Sequence, residues 1–236
     1  MVSIEQDEIL HLTKVFRAQK GAEFQLTDGC GRLLKAKLVD FDKRTNQIEI
    51  LETLKTDAQP EGFHIKIGFL KGRDLEEVVD TCSQWNPSSI QAIWTQHTQE
   101  SPSHDHTKLL QRLEAKSIVA LKQSKSLWLT KILQPQSLET IVQELKISSQ
   151  EFPIPAQIVL DLHGQTALPK EILNIVGSQG ANLWFGPEGG LSDDEIQSIL
   201  GLPHSLSLKL GDKRLRAITA PIFTLGYLEG LLAAQI

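Results

Sequence analysis

The sequence predicts an α/β protein with a small amino-terminal β-domain and a larger domain built around a parallel sheet. Two observations lead to this prediction. Residues 158–162 and 181–185 are short, nearly continuous apolar runs, which is typical of strands buried on both faces of a parallel sheet. Helical patterns at 108–123, 138–145 and 170–176 separate or flank these runs, and strands that alternate with helices are typical of the α/β class.

The amino-terminal part is rich in strand and turn patterns. Residues 23–26 alternate in polarity, residues 28–31 read Asp-Gly-Cys-Gly as a turn, and residues 33–39 alternate again, which predicts a β-hairpin. Residues 47–51 predict a further strand. We therefore expect a small β-barrel over residues 1–70 and an α/β domain over residues 71–236.

The α/β part contains further elements in the expected alternation. A helix begins near Leu75, and Leu206, Leu208 and Leu210 alternate as in a last strand. The remaining predictions are a strand over 90–94, an extended segment over 127–132 and an apolar helix over 221–234.

The composition is that of a soluble globular protein. The 236 residues are 40% hydrophobic and 22% charged, no apolar run is long enough to cross a membrane, and the acidic amino terminus does not predict a signal peptide. Cys30 and Cys82 form no metal or redox motif, and free thiols favour a cytoplasmic location. The net charge of −5 argues mildly against a nucleic-acid binder, so any contact with RNA would depend on a local basic patch.

A glycine-rich turn follows the apolar strand that ends at Phe185. Residues 186–192 read Gly-Pro-Glu-Gly-Gly-Leu-Ser, and glycines in such a turn allow a ligand to approach the backbone closely. Ser192 and Glu195 form a capping-box pattern, which predicts that a helix begins here. A strand, a glycine turn and a helix in this order usually make a ligand site at the carboxyl end of the strand.

The charge of this turn is unusual for a phosphate site. Four carboxylates lie in or just after it, and they would repel a pyrophosphate but tolerate a cationic ligand such as S-adenosylmethionine. The alternative is a plain βα turn without a ligand. The polar segment 95–107 holds His97, His104 and His106; a His-Asp-His pattern in a loop is far more often solvated than metal-bound, and we expect no metal site.

Three stretches together resemble the ribosomal RNA small subunit methyltransferase E family, which belongs to the SPOUT class of methyltransferases. Residues 11–17, followed by 27–31, resemble the amino-terminal PUA-like barrel of that family. Residues 186–192 match its cofactor loop closely. Residues 210–220 read Leu-Gly-Asp-Lys-Arg-Leu-Arg-Ala-Ile-Thr-Ala and resemble its last signature, which usually reads Leu-Gly-x-Arg-Ile-Leu-Arg-Thr-Glu-Thr-Ala.

The resemblance implies a fold, an activity and partners. The expected fold is a PUA-like RNA-binding barrel followed by a SPOUT domain with a deep trefoil knot, whose loops form the S-adenosylmethionine pocket. The expected reaction is methylation of N3 of a uridine in the decoding region of 16S ribosomal RNA in the bacterial cytoplasm. The family usually acts as a homodimer.

The resemblance also assigns site residues. Arg216 is the candidate catalytic cation, which would stabilise a uracil anion at O2 or O4. Lys213 and Arg214 would assist it or hold RNA phosphate; the alternative for all three is a solvated basic cluster. The residues expected to line the cofactor pocket are Leu162, His163, Gly186, Glu188, Gly189, Leu208, Leu210, Gly211 and Leu215, of which His163 could instead cap its strand and Glu188 is expected to bond loop amides.

Candidate RNA contacts also lie in the barrel. Lys14, Arg17 and Lys20 are basic residues at helical spacing, and Lys35 and Lys37 alternate on one face of a strand. These residues are candidate phosphate contacts. The alternative is a solvated face.

Several charged positions of the family pattern differ in this chain. The usual Thr-Glu-Leu-Gly, Glu-Arg-Ser and Gln-Ser-x-Arg correspond to 83–86, 96–98 and 123–126, and Ile218 stands where the last signature has Glu. Concerted loss of acids and arginines indicates a rebuilt network, a shifted substrate or a weakened catalyst. A non-catalytic RNA- or ribosome-binding protein with the same fold is therefore the second hypothesis. A dinucleotide-dependent oxidoreductase and a serine hydrolase are poorly supported, because their glycine and serine motifs are missing from the sequence.

Overall fold

The chain forms two compact units, Met1–Gln59 and Pro60–Ile236. A computed structural model describes residues 2–4, 6–41, 46–58, 62–100, 103–165, 169–177 and 180–234. The division between the units differs from the boundary expected near residue 70. The difference arises because a strand over Phe63–Gly68 belongs to the sheet of the second unit.

The first unit is an antiparallel sheet with a short helix. Among the described residues its four strands have the order β1-β4-β3-β2, and the barrel expected from the sequence stays a prediction. Ile9, Ala36, Leu38 and Ile48 form its buried core. The elements are β1 (Val2–Ser3), α1 (Gln6–Leu10), a π-helical turn (His11–Val15), β2 (Glu23–Thr27), β3 (Arg32–Phe41) and β4 (Asn46–Thr56).

The helical spacing expected for Lys14, Arg17 and Lys20 is wrong. The π-helical turn ends at Val15, and Arg17 has a φ of 51°, in the left-handed region, so the chain turns away before Lys20. Lys35 and Lys37 do share one face of β3, opposite to the buried Leu34, Ala36 and Leu38.

The second unit is a parallel sheet covered by helices on both faces. Among the described residues six strands have the order β10-β8-β9-β5-β6-β7, and every neighbouring pair is parallel. The α/β architecture with a parallel sheet is confirmed. The strands are β5 (Phe63–Gly68), β6 (Ser89–Trp94), β7 (Lys131–Ser137), β8 (Ala156–Gln165), β9 (Ala181–Phe185) and β10 (Ser205–Leu208).

The helices follow the predicted positions closely. The predicted extended segment over 127–132 is shifted, because the strand there begins only at Lys131.

No helix among the described residues has the length and apolar character that a membrane span requires. The helices are α2 (Asp74–Cys82), α3 (Thr107–Ser124), α4 (Leu138–Ser148), α5 (Pro169–Val176), α6 (Asp193–Leu200) and α7 (Ala220–Ala233), with a 3-10 turn at Ser83–Trp85.

Two apolar cores lie on the two faces of the parallel sheet. One core joins β5 and β9 to α2, α5 and α7, through residues such as Ile65, Val78 and Leu225. The other joins β8 and β9 to α4 and α6, through residues such as Trp184 and Ile199. Because these parallel strands run side by side, their carboxyl ends lie at one edge of the sheet, where the end of β8 meets the segments that follow β9 and β10.

The central strand β5 carries a buried lysine. Lys66 is only 7% exposed, and its Nζ donates to Oε1 of Gln91 on β6 at 2.9 Å. Burial lowers the pKa of Lys66 from its ordinary value of 10.5 to about 8. Polar residues such as Lys66 interrupt the apolar pattern of β5, and the sequence analysis predicted no strand there.

Candidate functional site

The glycine-rich turn forms a compact loop between β9 and α6. The predicted capping box is confirmed: the amide of Glu195 donates to Ser192 Oγ at 3.3 Å, and the amide of Ser192 donates to Glu195 Oε2 at 2.8 Å. The amide of Gly190 donates to the Pro187 carbonyl at 2.9 Å. A side chain at Gly186 would collide with the Gly190 and Leu191 backbone, so the fold of this loop requires glycine there.

A cleft of about 860 Å³ opens at the carboxyl edge of the parallel sheet. Its volume lies within the range of roughly 300–1,000 Å³ that is typical of small-molecule sites. The end of β8 and the loops that follow β9 and β10 line it together. All of the residues that the sequence assigned to a cofactor pocket lie along this cleft: Leu162, His163, Gly186, Glu188, Gly189, Leu208, Leu210, Gly211 and Leu215.

The β8 side of the cleft is held by contacts with β10. The register between the two strands shifts near Leu208, and a side chain at Gly164 would press on the oxygen atoms of Ser207. The carboxylate of Asp161 accepts the His163 amide at 3.0 Å and the Ser207 hydroxyl at 3.4 Å. Asp161 therefore fixes the end of β8, a contact that sequence reasoning missed.

The basic segment after β10 also lines the cleft. Lys213, Arg214 and Arg216 all lie there. Nη2 of Arg214 donates to the Glu188 carbonyl at 3.1 Å, which ties this segment to the glycine-rich loop. Arg216 is 74% exposed, so its guanidinium is accessible from the cleft.

A carboxylate that sequence reasoning missed faces Arg216. Oδ2 of Asp74 lies 4.0 Å from Arg216 Nη2, and Asp74 also lines the cleft. Asp74 is the first residue of α2. Asp74 lies far in sequence from the glycine-rich and basic motifs. No local sequence pattern therefore places it at the site.

Two residues that follow β6 contact the glycine-rich loop and the first turn of α6 from outside the cleft. The amide of Gln96 donates to Glu195 Oε1 at 2.7 Å, and Nδ1 of His97 donates to the Gly190 carbonyl at 3.1 Å. Glu188 makes a further link, because its Oε1 accepts the Lys71 amide at 3.1 Å. The expected bonding of Glu188 to amides of its own loop stays a prediction.

The remaining histidines of segment 95–107 have protein partners. Nδ1 of His104 lies 2.8 Å from Glu100 Oε1, and the His106 ring packs against Phe69 and Trp94. No cluster of His, Cys, Asp or Glu suited to a metal ion occurs within the described ranges.

The basic candidates of the first unit are partly balanced by acids. Lys20 Nζ lies 3.5 Å from Asp40 Oδ1, and Lys35 Nζ lies 2.8 Å from Glu23 Oε2. The Glu23 carboxylate raises the pKa of Lys35 through this hydrogen bond. Lys37 lies opposite both Glu23 and Glu49 in the sheet. The roles of these residues and of Lys14 and Arg17 in RNA binding stay predictions.

Fold and cleft define an α/β protein with a candidate ligand site at the carboxyl edge of a parallel sheet, lined by a glycine-rich loop and a basic segment. The chain belongs to the RNA methyltransferase family. The family described as "RNA methyltransferase domain" matches residues 57–229, which is more than half of the chain, and the one described as "RNA methyltransferase PUA domain" matches residues 4–51.

Individual relatives agree with this assignment. The chain is 28% identical over 240 residues to ribosomal RNA small subunit methyltransferase E of a Synechocystis strain, covering 98% of this chain and 73% of that protein. It is similar in fold to ribosomal RNA small subunit methyltransferase E from Neisseria gonorrhoeae bound to S-adenosyl methionine, with a TM-score of 0.79 and 19% identity over 96% of this chain and 90% of the other. The family resemblance inferred from the three motifs is confirmed.

Proposed function

We propose that this protein is an S-adenosylmethionine-dependent methyltransferase that methylates N3 of a uridine in 16S ribosomal RNA. One observation carries the proposal: the residues assigned from two separate motifs and from the end of β8 converge on a single cleft. The matched family and the Synechocystis relative support an RNA substrate and, more specifically, ribosomal RNA.

The chemistry of the cleft fits the proposed cofactor. Leu162, Leu208, Leu210 and Leu215 offer an apolar surface for an adenosine group, and the glycine-rich loop permits close approach of the backbone. Asp74, Asp161, Glu188 and Asp212 also line the cleft and favour a cationic sulfonium over a pyrophosphate. The cofactor would supply an electrophilic methyl group. By resemblance we propose that the chain here is threaded into the SPOUT knot.

The reaction requires a nucleophilic nitrogen. N3 of uracil carries a proton that would pass to solvent water before or during attack, and the bound cofactor would supply the methyl group of the new N–CH₃ bond. Arg216 would stabilise the negative charge that develops on the uracil ring, since a cation placed where charge develops lowers the barrier. Asp74 would hold the Arg216 guanidinium in position. We propose Asp74 as a positioning residue.

The proposed partners are ribosomal RNA and a second copy of the chain. The match of residues 4–51 to a PUA domain supports a role of the first unit in binding RNA. Helix α7 is apolar, and Phe223 on it is 51% exposed although it lines the cleft, which supports a homodimer that covers this face. A ribosomal RNA substrate places the protein in the cytoplasm.

The second candidate function is RNA binding without catalysis. It is favoured by the Asp74–Arg216 contact, because a carboxylate beside the candidate catalytic cation weakens its pull on a developing anion. Ile218 stands where the family's last signature has Glu, and this loss of an acid also favours RNA binding without catalysis.

Two measurements separate these functions. Calorimetry of the purified protein with S-adenosylmethionine tests the cofactor, and we expect heat of binding with one site per chain. Mass spectrometry of 16S ribosomal RNA from cells with and without this protein then tests the product, for which we expect loss of one N3-methyluridine without it. Cofactor binding with unchanged ribosomal RNA would favour the non-catalytic function, and no heat at high cofactor concentration would contradict the enzyme.

A further inference from the structure

A second cleft lies beside the one described above, in the same unit. It has a volume of about 580 Å³ and lies after the carboxyl ends of β5 and β6, where α3 begins. Its apolar lining comes from Phe69, Leu70, Leu75 and Leu109. The residues of this cleft take no part in the site proposed for the cofactor, apart from Glu188, which lines both clefts.

An aromatic cluster borders this second cleft. Phe69 and Trp94 stack with ring centroids 5.3 Å apart, and the His106 ring lies 5.2 Å from Phe69 and 5.6 Å from Trp94. Phe69 and His106 line the cleft, while Trp94 packs behind them against the core. Phe69 is only 5% exposed and is stacked on Trp94, so these two rings support the partly exposed ring of His106. Planar rings of this kind bind nucleobases without regard to sequence.

The charges around the cleft suit a nucleotide better than a neutral ligand. Lys71 and Lys108 line it and are exposed, so both can reach a phosphate. The carboxylates of the lining already accept protein donors: Glu100 lies 2.8 Å from His104 Nδ1, Asp105 accepts the Thr107 amide at 2.9 Å, and Glu188 accepts the Lys71 amide at 3.1 Å. These carboxylates keep their negative charge. An anionic ligand therefore needs Lys71 and Lys108 to offset that charge.

We propose that this second cleft holds a further, unmethylated base of the substrate RNA, stacked on the partly exposed ring of His106 with its phosphate near Lys71 and Lys108. This inference rests on the proposed function, because Glu188 lines both clefts and so joins the second cleft to the proposed site of methyl transfer. A single strand that passes from one cleft to the other would be held on both sides of Glu188. The second base would then fix the register of the strand relative to the cofactor.

The first test is binding of a fluorescein-labelled oligouridylate of about ten nucleotides, which matches the span of a single-stranded site. In fluorescence anisotropy with the full chain, we expect His106→Ala to weaken binding about tenfold, as for loss of one stacked base. His106→Phe, which keeps an aromatic ring, should restore most of the affinity. Equal affinity of His106→Ala and wild type, or failure of His106→Phe to restore a loss, would overturn the proposal.

Matched lysine substitutions test whether Lys71 and Lys108 contact RNA phosphate. Lys71→Ala and Lys108→Ala should each reduce the salt dependence of oligouridylate binding, because each removes one phosphate contact. Lys146→Ala is the control, since Lys146 is exposed on α4 and lines neither cleft. A salt dependence that changes equally in all three variants would contradict the proposal. Thermal melting of each variant shows whether it is folded.

A third measurement locates the RNA directly and keeps the two proposals distinct. We expect a 4-thiouridine oligonucleotide, irradiated in complex with the wild-type protein, to cross-link to peptides that contain Phe69 or His106. Cross-links confined to other peptides would overturn the second site. Failure of the proposed function appears separately, as no heat with S-adenosylmethionine and no methyl transfer to ribosomal RNA.

Discussion

Nη2 of Arg216 lies 4.0 Å from Oδ2 of Asp74, which joins the basic segment after β10 to the first residue of α2. The side chains are 74% and 37% exposed, so the ion pair contributes at most about 1 kcal/mol to stability. We propose that its consequence is positional: Asp74 would orient the Arg216 guanidinium at the cleft where the candidate cofactor residues meet.

Removal of the candidate catalytic cation should affect the reaction and spare cofactor binding. We expect Arg216→Ala to lower kcat for methyl transfer to ribosomal RNA by about 10²-fold, as for loss of one charge-stabilising donor. The dissociation constant for S-adenosylmethionine, measured by calorimetry, should change little. Lys146→Ala serves as a control for loss of a surface cation. An unchanged rate in Arg216→Ala would remove this residue from the mechanism.

Loss of the partner carboxylate should act through Arg216. We expect Asp74→Asn to lower kcat several-fold with little change in KM for RNA, because the guanidinium loses its orientation. The free energy of unfolding should change by less than about 1 kcal/mol. Asp80→Asn is the matched control, since Asp80 lies on the same helix, pairs with Lys116 at 3.6 Å and does not line the cleft. A rate at or above that of wild type in Asp74→Asn would contradict the positioning role.

The contact between His97 and the glycine-rich loop predicts a double-mutant rescue. A Cβ atom at Gly189 would lie 2.9 Å from the Cβ atom of His97, so Gly189→Ala should displace the loop and weaken S-adenosylmethionine binding about tenfold or more. Gly189→Val should abolish binding.

His97→Gly combined with Gly189→Ala should recover part of the affinity, because it removes the side chain in the way. The measurement is calorimetry on both single variants and the double variant. Strictly additive losses would show that the two positions do not interact, and full binding by Gly189→Val would place the cofactor elsewhere.

The buried Lys66 predicts a specific pH dependence of stability. Its pKa falls from 10.5 to about 8 on folding, so the unfolded chain binds more protons between these values and stability rises with pH there. This contribution to the free energy of unfolding is lost as pH falls through about 8. Between pH 7.5 and 10 it amounts to about 2 kcal/mol.

Urea denaturation at several pH values tests this prediction. Lys66→Met should lack the rise that wild type shows above pH 8, whereas Lys146→Met should keep it. The Met variant also leaves Oε1 of Gln91 without its lysine donor, which changes overall stability but not its slope with pH. Parallel pH profiles for wild type and Lys66→Met would mean that Lys66 is not titrating in this range.

Much of this protein is determined by local sequence. The strand at Ala181–Phe185, the turn after it and the capping box of Ser192 and Glu195 were all predictable, because each depends on residues only a few positions apart. The strand Phe63–Gly68 was not predicted, although it lies between β9 and β6, because His64 and Lys66 interrupt its apolar pattern. Their polar atoms bond to Ser89 and Gln91 of β6, which lie more than twenty residues further along the chain.

The tertiary structure alone decided which of these pieces meet. The strand order β10-β8-β9 brings the end of β8 and the loops after β9 and β10 to one edge and turns separate motifs into one cleft. It also places Asp74 beside Arg216, Gln96 and His97 against the glycine-rich loop, and Phe69 beside His106. Contacts between residues so far apart in the chain depend on how strands pair and helices pack, and no local propensity records that pairing.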